Sequence, residues 1–287
     1  MNVLVIDAHS GISGDMFVAA AAALAKCEDE VCSLPEKLGL DGVTCRFRNV
    51  IRASIQCRKF DVMEGEFTAE EAAHIHASTP KHSDSHEHGH SHEHGHSHEH
   101  GHSHEHGHSK EHDHSHHHEH RSLATIQAMI IAAKLESGVE ERAMRMFNRL
   151  GEVEAAAHGI PIDQVHFHEV GAVDSIIDIV AAALCIERLG VAAVFASPIC
   201  VGSGTVNTAH GILPVPAPAT ERLLRGMPTT VGELPGEWTT PTGALILTEL
   251  GVCFEIPTLV TRDAALGGGT RNPSKRPSVL RLRLAET

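Results

Sequence analysis

His166, His168, Glu169, Asp174 and Asp178 fall within thirteen residues of the stretch VHFHEVGAVDSIIDIV, 165–180. His166 and His168 stand two apart on an expected strand, so both rings face one side. Asp174 and Asp178 stand four apart on the helix expected next and share one face of it. Asp174, in the first turn, can serve the helix dipole alone. Asp178 lies deeper, between Ile177 and Ile179. Two imidazoles with up to three carboxylates can hold a divalent metal, with His166, His168, Glu169 and Asp174 as its ligands. A satisfied polar cluster supporting the turn is the competing reading.

A second constellation is HSGISGDM, residues 9–16. Here a strand ends, Gly11 and Gly14 turn the chain, and Ser13 or Asp15 can cap the helix that follows. Backbone N–H groups at such a helix start can hold a phosphate, with Ser10, Gly11, Ser13, Gly14 and Asp15 around it. The GxxxxGK[ST] pattern is absent, so this is not a P-loop. His9 and Asp7 at the carboxyl end of the strand favour a site over a plain turn, and His9 is a further candidate metal ligand. In TAHGILPVPAPAT, 208–220, the prolines shape a rigid loop around His210, its one strongly titratable group.

The most conspicuous feature is HEHGHS, written four times over 86–109, in a segment (82–120) that holds 19 histidines. His88, His90, His94, His96, His100, His102, His106 and His108 are representative ligands. With an imidazole pKa near about 6.5, most of the rings are neutral at pH 7 and able to bind metal. Surrounded by Gly, Ser, Glu and Asp, the tract has almost nothing to bury and is expected to be disordered. Alternate histidines in a mobile chain chelate in many registers. That arrangement favours capacity and exchange over fixed catalytic geometry, and it does not select one metal among nickel, zinc and copper.

The elements that must position these groups alternate. VLVID (3–7) reads as a buried strand feeding a helix from about Met16 to Ala25. Residues 43–62 read as strands. Helices follow over 123–135, with a break at Ser137-Gly138, and over 139–158, where Ala143, Met146, Phe147, Leu150 and Val153 form one stripe. A strand over 164–169 leads to a helix over 173–189. Residues 191–201 and 205–210 read as strands around the turn at Gly202–Gly204. Pro216-Ala-Pro opens a helix closed by Gly226, and Thr240-Pro241 caps another that ends at Gly251. Residues 279–284 form a last strand. The fold class expected is α/β (or α+β), a mixed sheet with packed helices. Residues 1–77 and 121–287 would form one domain, interrupted by a disordered His-rich insertion at 78–120.

Composition narrows the function. Net charge is −14, with no Tyr, one Trp and no basic run, which disfavours nucleic acid as a partner. Seven scattered cysteines without a CxxC fit a reduced, cytoplasmic setting. The apolar run 16–25, ending Leu-Ala-Lys-Cys, is preceded by acidic residues and has Lys26 where a lipoprotein signal needs a small residue. No run approaches the roughly 18 apolar residues of a membrane span.

Taken in order, SGISGDM, a histidine-rich insertion, VHFHEVGAVDSIIDIV, GSGTVNTAHGILPVPAPAT and TPTGA resemble the LarC family. These are nickel-insertion proteins for the nickel-pincer nucleotide cofactor of lactate racemase-type enzymes. The likeness runs from residue 1 to about 283. It implies a substrate, pyridinium-3,5-bisthiocarboxylic acid mononucleotide, in which Ni(II) comes to lie between two sulfurs and a ring carbon. That chemistry needs a nickel source, a seat for the phosphate and a base for the displaced ring proton. The tract is the expected source and the Gly11–Gly14 turn the expected seat; His166, His168, His210 or Asp178 is the expected base. The resemblance also implies a C-terminal domain that binds CTP with a divalent cation, expected here from a separate polypeptide. Two alternatives stay open at this point: a nickel store or metallochaperone without chemistry of its own, and a phosphate-ester hydrolase built on the 166–178 cluster.

Overall fold

The computed structural model describes residues 1–68, 121–167, 172–208, 211–273 and 275–286. The histidine tract, His168, Glu169 and His210 lie outside them. Among the described residues the fold is mixed α/β. The Val3–Ile6 run is apolar throughout because strand β1 (Asn2–Asp7) is inside a sheet, covered on both faces. It pairs antiparallel with β14 (Val279–Glu286) and parallel with β7 (Ala193–Ala196). The sheet continues from β14 to β13 (Val260–Gly268), β3 (Ile55–Glu64) and β2 (Val43–Arg52), and the short β4 (Phe67–Thr68) adds to β3. Three small sheets flank it. β5 (Arg121–Ser122) pairs with β6 (His166–Phe167), β9 (Thr205–Thr208) with β10 (Gly211–Pro214), and β8 (Ile199–Ser203) lies between β11 (Thr229–Val231) and β12 (Gly236–Glu237).

Helix α1 (Gly14–Ala25) packs on β13 and against α6 (Val173–Leu189). Small side chains make the approach close: Ala19–Ala22 of α1 and Ala181–Ala183 of α6 are fully buried. A Cβ on Gly267 of β13 would collide with the Met16 carbonyl. Larger groups then fill the core, including Phe17, Ile176, Ile177 and Ile179. Each such side chain contributes about 1.5–3 kcal/mol on burial. Short helices α2 (Glu28–Cys32) and α3 (Leu34–Lys37) follow α1. Beyond them come α4 (Leu123–Ala132), α5 (Ser137–His158), α7 (Pro218–Leu223) and α8 (Pro241–Leu250). The whole α5 stripe from Ala143 to Val153 is buried as its period requires. No helix among the described residues is long and apolar enough to cross a membrane.

Several boundaries differ from expectation. The break between α4 and α5 lies at 133–136, where Lys134 takes a left-handed backbone. Ser137 and Gly138 open α5 instead of breaking it, and Gly138 stays small because Glu187 lies against it. Residues 191–201 are two strands in different sheets, split at Ser197-Pro198, since proline ends the β7 ladder. The 208–220 stretch carries strand β10 as well as a loop, and α7 opens at Pro218, its first helical position. β13 has no counterpart in the sequence reading, because VTRDAALGG shows neither alternation nor a continuous apolar run.

Candidate functional site

The first turns of α1, α6 and α8 converge with β2, β3 and the segment after β13 around a cleft of about 650 Å³. Each helix start is set by local chemistry. Thr240 caps α8 by accepting from the Gly243 N–H at 3.2 Å, with Pro241 behind it. Ser13 stands at the N-cap of α1, but its hydroxyl donates to the Asp15 carboxylate and makes no cap bond. The α1 donors are met from elsewhere. The Gly14 N–H donates to Thr242 Oγ1 at 3.3 Å, and the Asp15 N–H to the Asp178 carboxylate of α6. Gly14 is required there, since a Cβ would strike that carboxylate.

Lys59 of β3 ties these parts together. It is 5% exposed; its Nζ donates to the Asp15 carboxylate and, at 3.3 Å, to Thr270 Oγ1. Burial alone would lower its pKa, yet Asp15, then Asp61 and Asp178, hold it above the ordinary lysine value. Asp178 opens onto the cleft while lying deep in the molecule. Burial, then the carboxylates of Asp15 and Asp174, push it well above the ordinary carboxylate value, against the opposing pull of Lys59. Asp61 behaves oppositely. Burial would raise it, but Arg48 (Nε at 2.5 Å), Lys59 and Arg46 (Nε at 3.1 Å) together hold it low. The cleft thus contains one carboxyl group, Asp178, poised to keep a proton, beside Asp61, which is held ionised.

Of the residues singled out from sequence, Ser13, Gly14, Asp15, Asp174 and Asp178 line this cleft. Gly11 does not: it is buried under Trp238, whose backbone a Cβ would hit. Ser10 is outside the lining, and exposed His9 offers its backbone carbonyl to Arg276, whose guanidinium stands 5.6 Å from the Trp238 ring. Asp7 supports the sheet through Arg281 Nε at 2.6 Å and Arg283 Nε at 3.0 Å. The Gly11–Gly14 turn, expected as a phosphate seat, is packed against residues 238–243, and the Asp178 carboxylate accepts from the Asp15 N–H at the helix start.

His166 also departs from expectation. Its strand spans two residues, Phe167 points into the core, and His166 consequently faces outward, beyond the cleft lining. Among the described residues no group of three or more His, Cys, Asp and Glu is arranged to hold a metal ion. His168, Glu169, His210 and the tract histidines lie outside the described residues. The sequence reading missed Lys59, Asp61, Arg52, Thr270 and Arg271, all of which line the cleft. A signal for the first two existed: Lys59 and Asp61 stand two apart within CRKFDVM, so both face one way from a strand that is otherwise mostly buried.

The model of the nickel insertion protein family matches residues 4–287. The chain belongs to that family. Over all 287 residues it is 35% identical to a protein of Geobacillus kaustophilus (strain HTA426) named "Pyridinium-3,5-bisthiocarboxylic acid mononucleotide nickel insertion protein", 60% of which is covered. It is 50% identical over 168 residues to a "Putative nickel insertion protein" of Geotalea daltonii, covering 58% of this chain and 43% of the relative. A protein of the same name from Geobacter metallireducens is 51% identical over 167 residues, with the same two coverages. The match thus spans three-fifths or less of the length of these family members. No solved structure matches the chain.

Proposed function

We propose that this chain binds pyridinium-3,5-bisthiocarboxylic acid mononucleotide in the cleft and inserts Ni(II) into it. The observation that carries the proposal is similarity, over all 287 residues of this chain and 60% of the relative, to the Geobacillus kaustophilus protein named for that reaction. The cleft supports it chemically. Insertion replaces a ring C–H bond by a C–Ni bond; the carbon keeps the electron pair, the proton leaves, and no electron is gained or lost. Asp178 is the proton acceptor. Its raised proton affinity makes its carboxylate a stronger base than an ordinary aspartate once ionised. Asp174, one helical turn earlier, offers a carboxylate to the arriving Ni(II), with His168 and Glu169 as further ligands. His210 is the alternative base.

In this reading the reaction is of the lyase class and proceeds in the cytoplasm, and CTP with a divalent cation acts through a separate polypeptide. Residues 1–77 and 121–287 form the insertion domain, while 78–120 collects nickel beside it. The test is reconstitution. Purified protein receives nickel and the mononucleotide, with and without CTP and the C-terminal portion of a longer family member. Appearance of the nickel–carbon product is expected. Nickel uptake without product under every condition would leave a storage protein instead.

A further inference from the structure

The α1 start, closed by Asp178 and Thr242, leaves the phosphate of a mononucleotide without a seat there, since the Gly14 and Asp15 N–H groups are already engaged. The opposite wall has the opposite character. Arg52 of β2 donates from Nε to the Gly269 carbonyl at 2.7 Å and from Nη1 to the Ile51 carbonyl at 3.3 Å. These contacts hold the guanidinium in place without neutralising it. Arg271 lies over Gly236, where a Cβ would meet its Nη1, so the missing side chain leaves room for the guanidinium. Among the described residues no carboxylate pairs with Arg52 or Arg271.

Many other arginines of this molecule, whose net charge is −14, are compensated. Arg188 is shared by Glu30 and Glu136, Arg281 and Arg283 share Asp7, and Arg46 and Arg48 share Asp61. Two guanidinium groups without a carboxylate partner, lining one cavity, match the planar, two-pronged recognition of a phosphate.

We infer that Arg52 and Arg271, with the Thr270 hydroxyl, seat the phosphate of a pyridinium ribonucleotide at this rim, its ring directed toward Asp178. The inference rests on the mononucleotide reading above and adds the site and orientation. Titration calorimetry with nicotinic acid mononucleotide, its dephosphorylated riboside and inorganic phosphate tests it without any need for nickel. Arg52→Gln and Arg271→Gln should each weaken the mononucleotide about tenfold or more, and leave the riboside within about twofold. Arg271→Lys, which keeps the charge but loses the fork, should fall between. Equal losses on nucleotide and riboside, or none on either, would overturn the phosphate site. If the wild-type protein bound phosphate in an Arg271-dependent way but no pyridinium nucleotide, the anion site would stand and the substrate reading would fall. If it bound the nucleotide and the arginine variants did too, the substrate reading would stand and this inference would fall.

Discussion

At the scale of single residues, Asp178 is where stability and chemistry conflict. Its folded-state proton affinity is raised, so above the ordinary value of 3.8 the folded protein holds a proton that the unfolded chain releases. Stability from this group is therefore fully present below 3.8 and declines as pH rises through the raised folded value. Asp178→Asn should remove that decline. Thermal melts of variant and wild type should converge near pH 4 and separate by pH 8, with the variant the more stable. Insertion should behave inversely, rising with pH in the wild type as Asp178 ionises and vanishing in the variant. Lys59 is the counterweight. Replacing it by Met leaves Asp15 and Asp178 without their cation, and denaturant titration at pH 7 should show a loss at the lower end of roughly 3–5 kcal/mol, since Asp15 is partly exposed. An unchanged unfolding midpoint would show that the ammonium does not hold these carboxylates together.

At the scale of elements, the cleft exists because three helix starts meet over one sheet. α1 reaches it by lying nearly on the backbone of β13, so Gly267→Ala should prevent that seating. Loss of cooperative unfolding, or a midpoint lowered beyond the roughly 1–3 kcal/mol of ordinary overpacking, is expected because the obstacle is a backbone carbonyl. β1, α5 and α6 are legible in the sequence, since burial imposes a period of its own: continuous for VLVID, 3.6-fold for the Ala143–Val153 stripe. Thr240-Pro241 and Gly251 likewise announce both ends of α8 through cap chemistry that is purely local. β13 is not legible, because its exposed first half carries Thr261, Arg262 and Asp263 while its second half is kept small for α1. The site divides in the same way. Asp174 and Asp178 follow from i,i+4 spacing on one helix. Arg52 and Lys59 sit on one hairpin, β2–β3, and Arg271, from a distant part of the chain, joins them only when the sheet forms. The Gly11–Gly14 turn misleads because an open and a clamped helix start have the same local sequence; residues 238–243 decide between them.

At the scale of the whole molecule, the proposed function assigns the collecting of nickel to the HEHGHS repeats and the placing of it to the cleft. Deleting 82–120 should lower the nickel bound per chain, read by equilibrium dialysis and metal analysis, while product still forms when nickel is saturating. Loss of insertion even in excess nickel would make the tract part of the reaction path itself. In the inferred orientation the nucleotide lies with its phosphate at the Arg52–Arg271 rim and its ring at the carboxylate floor. The measurement that bears most directly on this account is single-turnover formation of the nickel–carbon product, followed by mass spectrometry, for wild type and Asp178→Asn under the conditions that support turnover. The account predicts that the variant binds the mononucleotide with wild-type affinity, takes up nickel and yields no product. Product formed by the variant at the wild-type rate would contradict it.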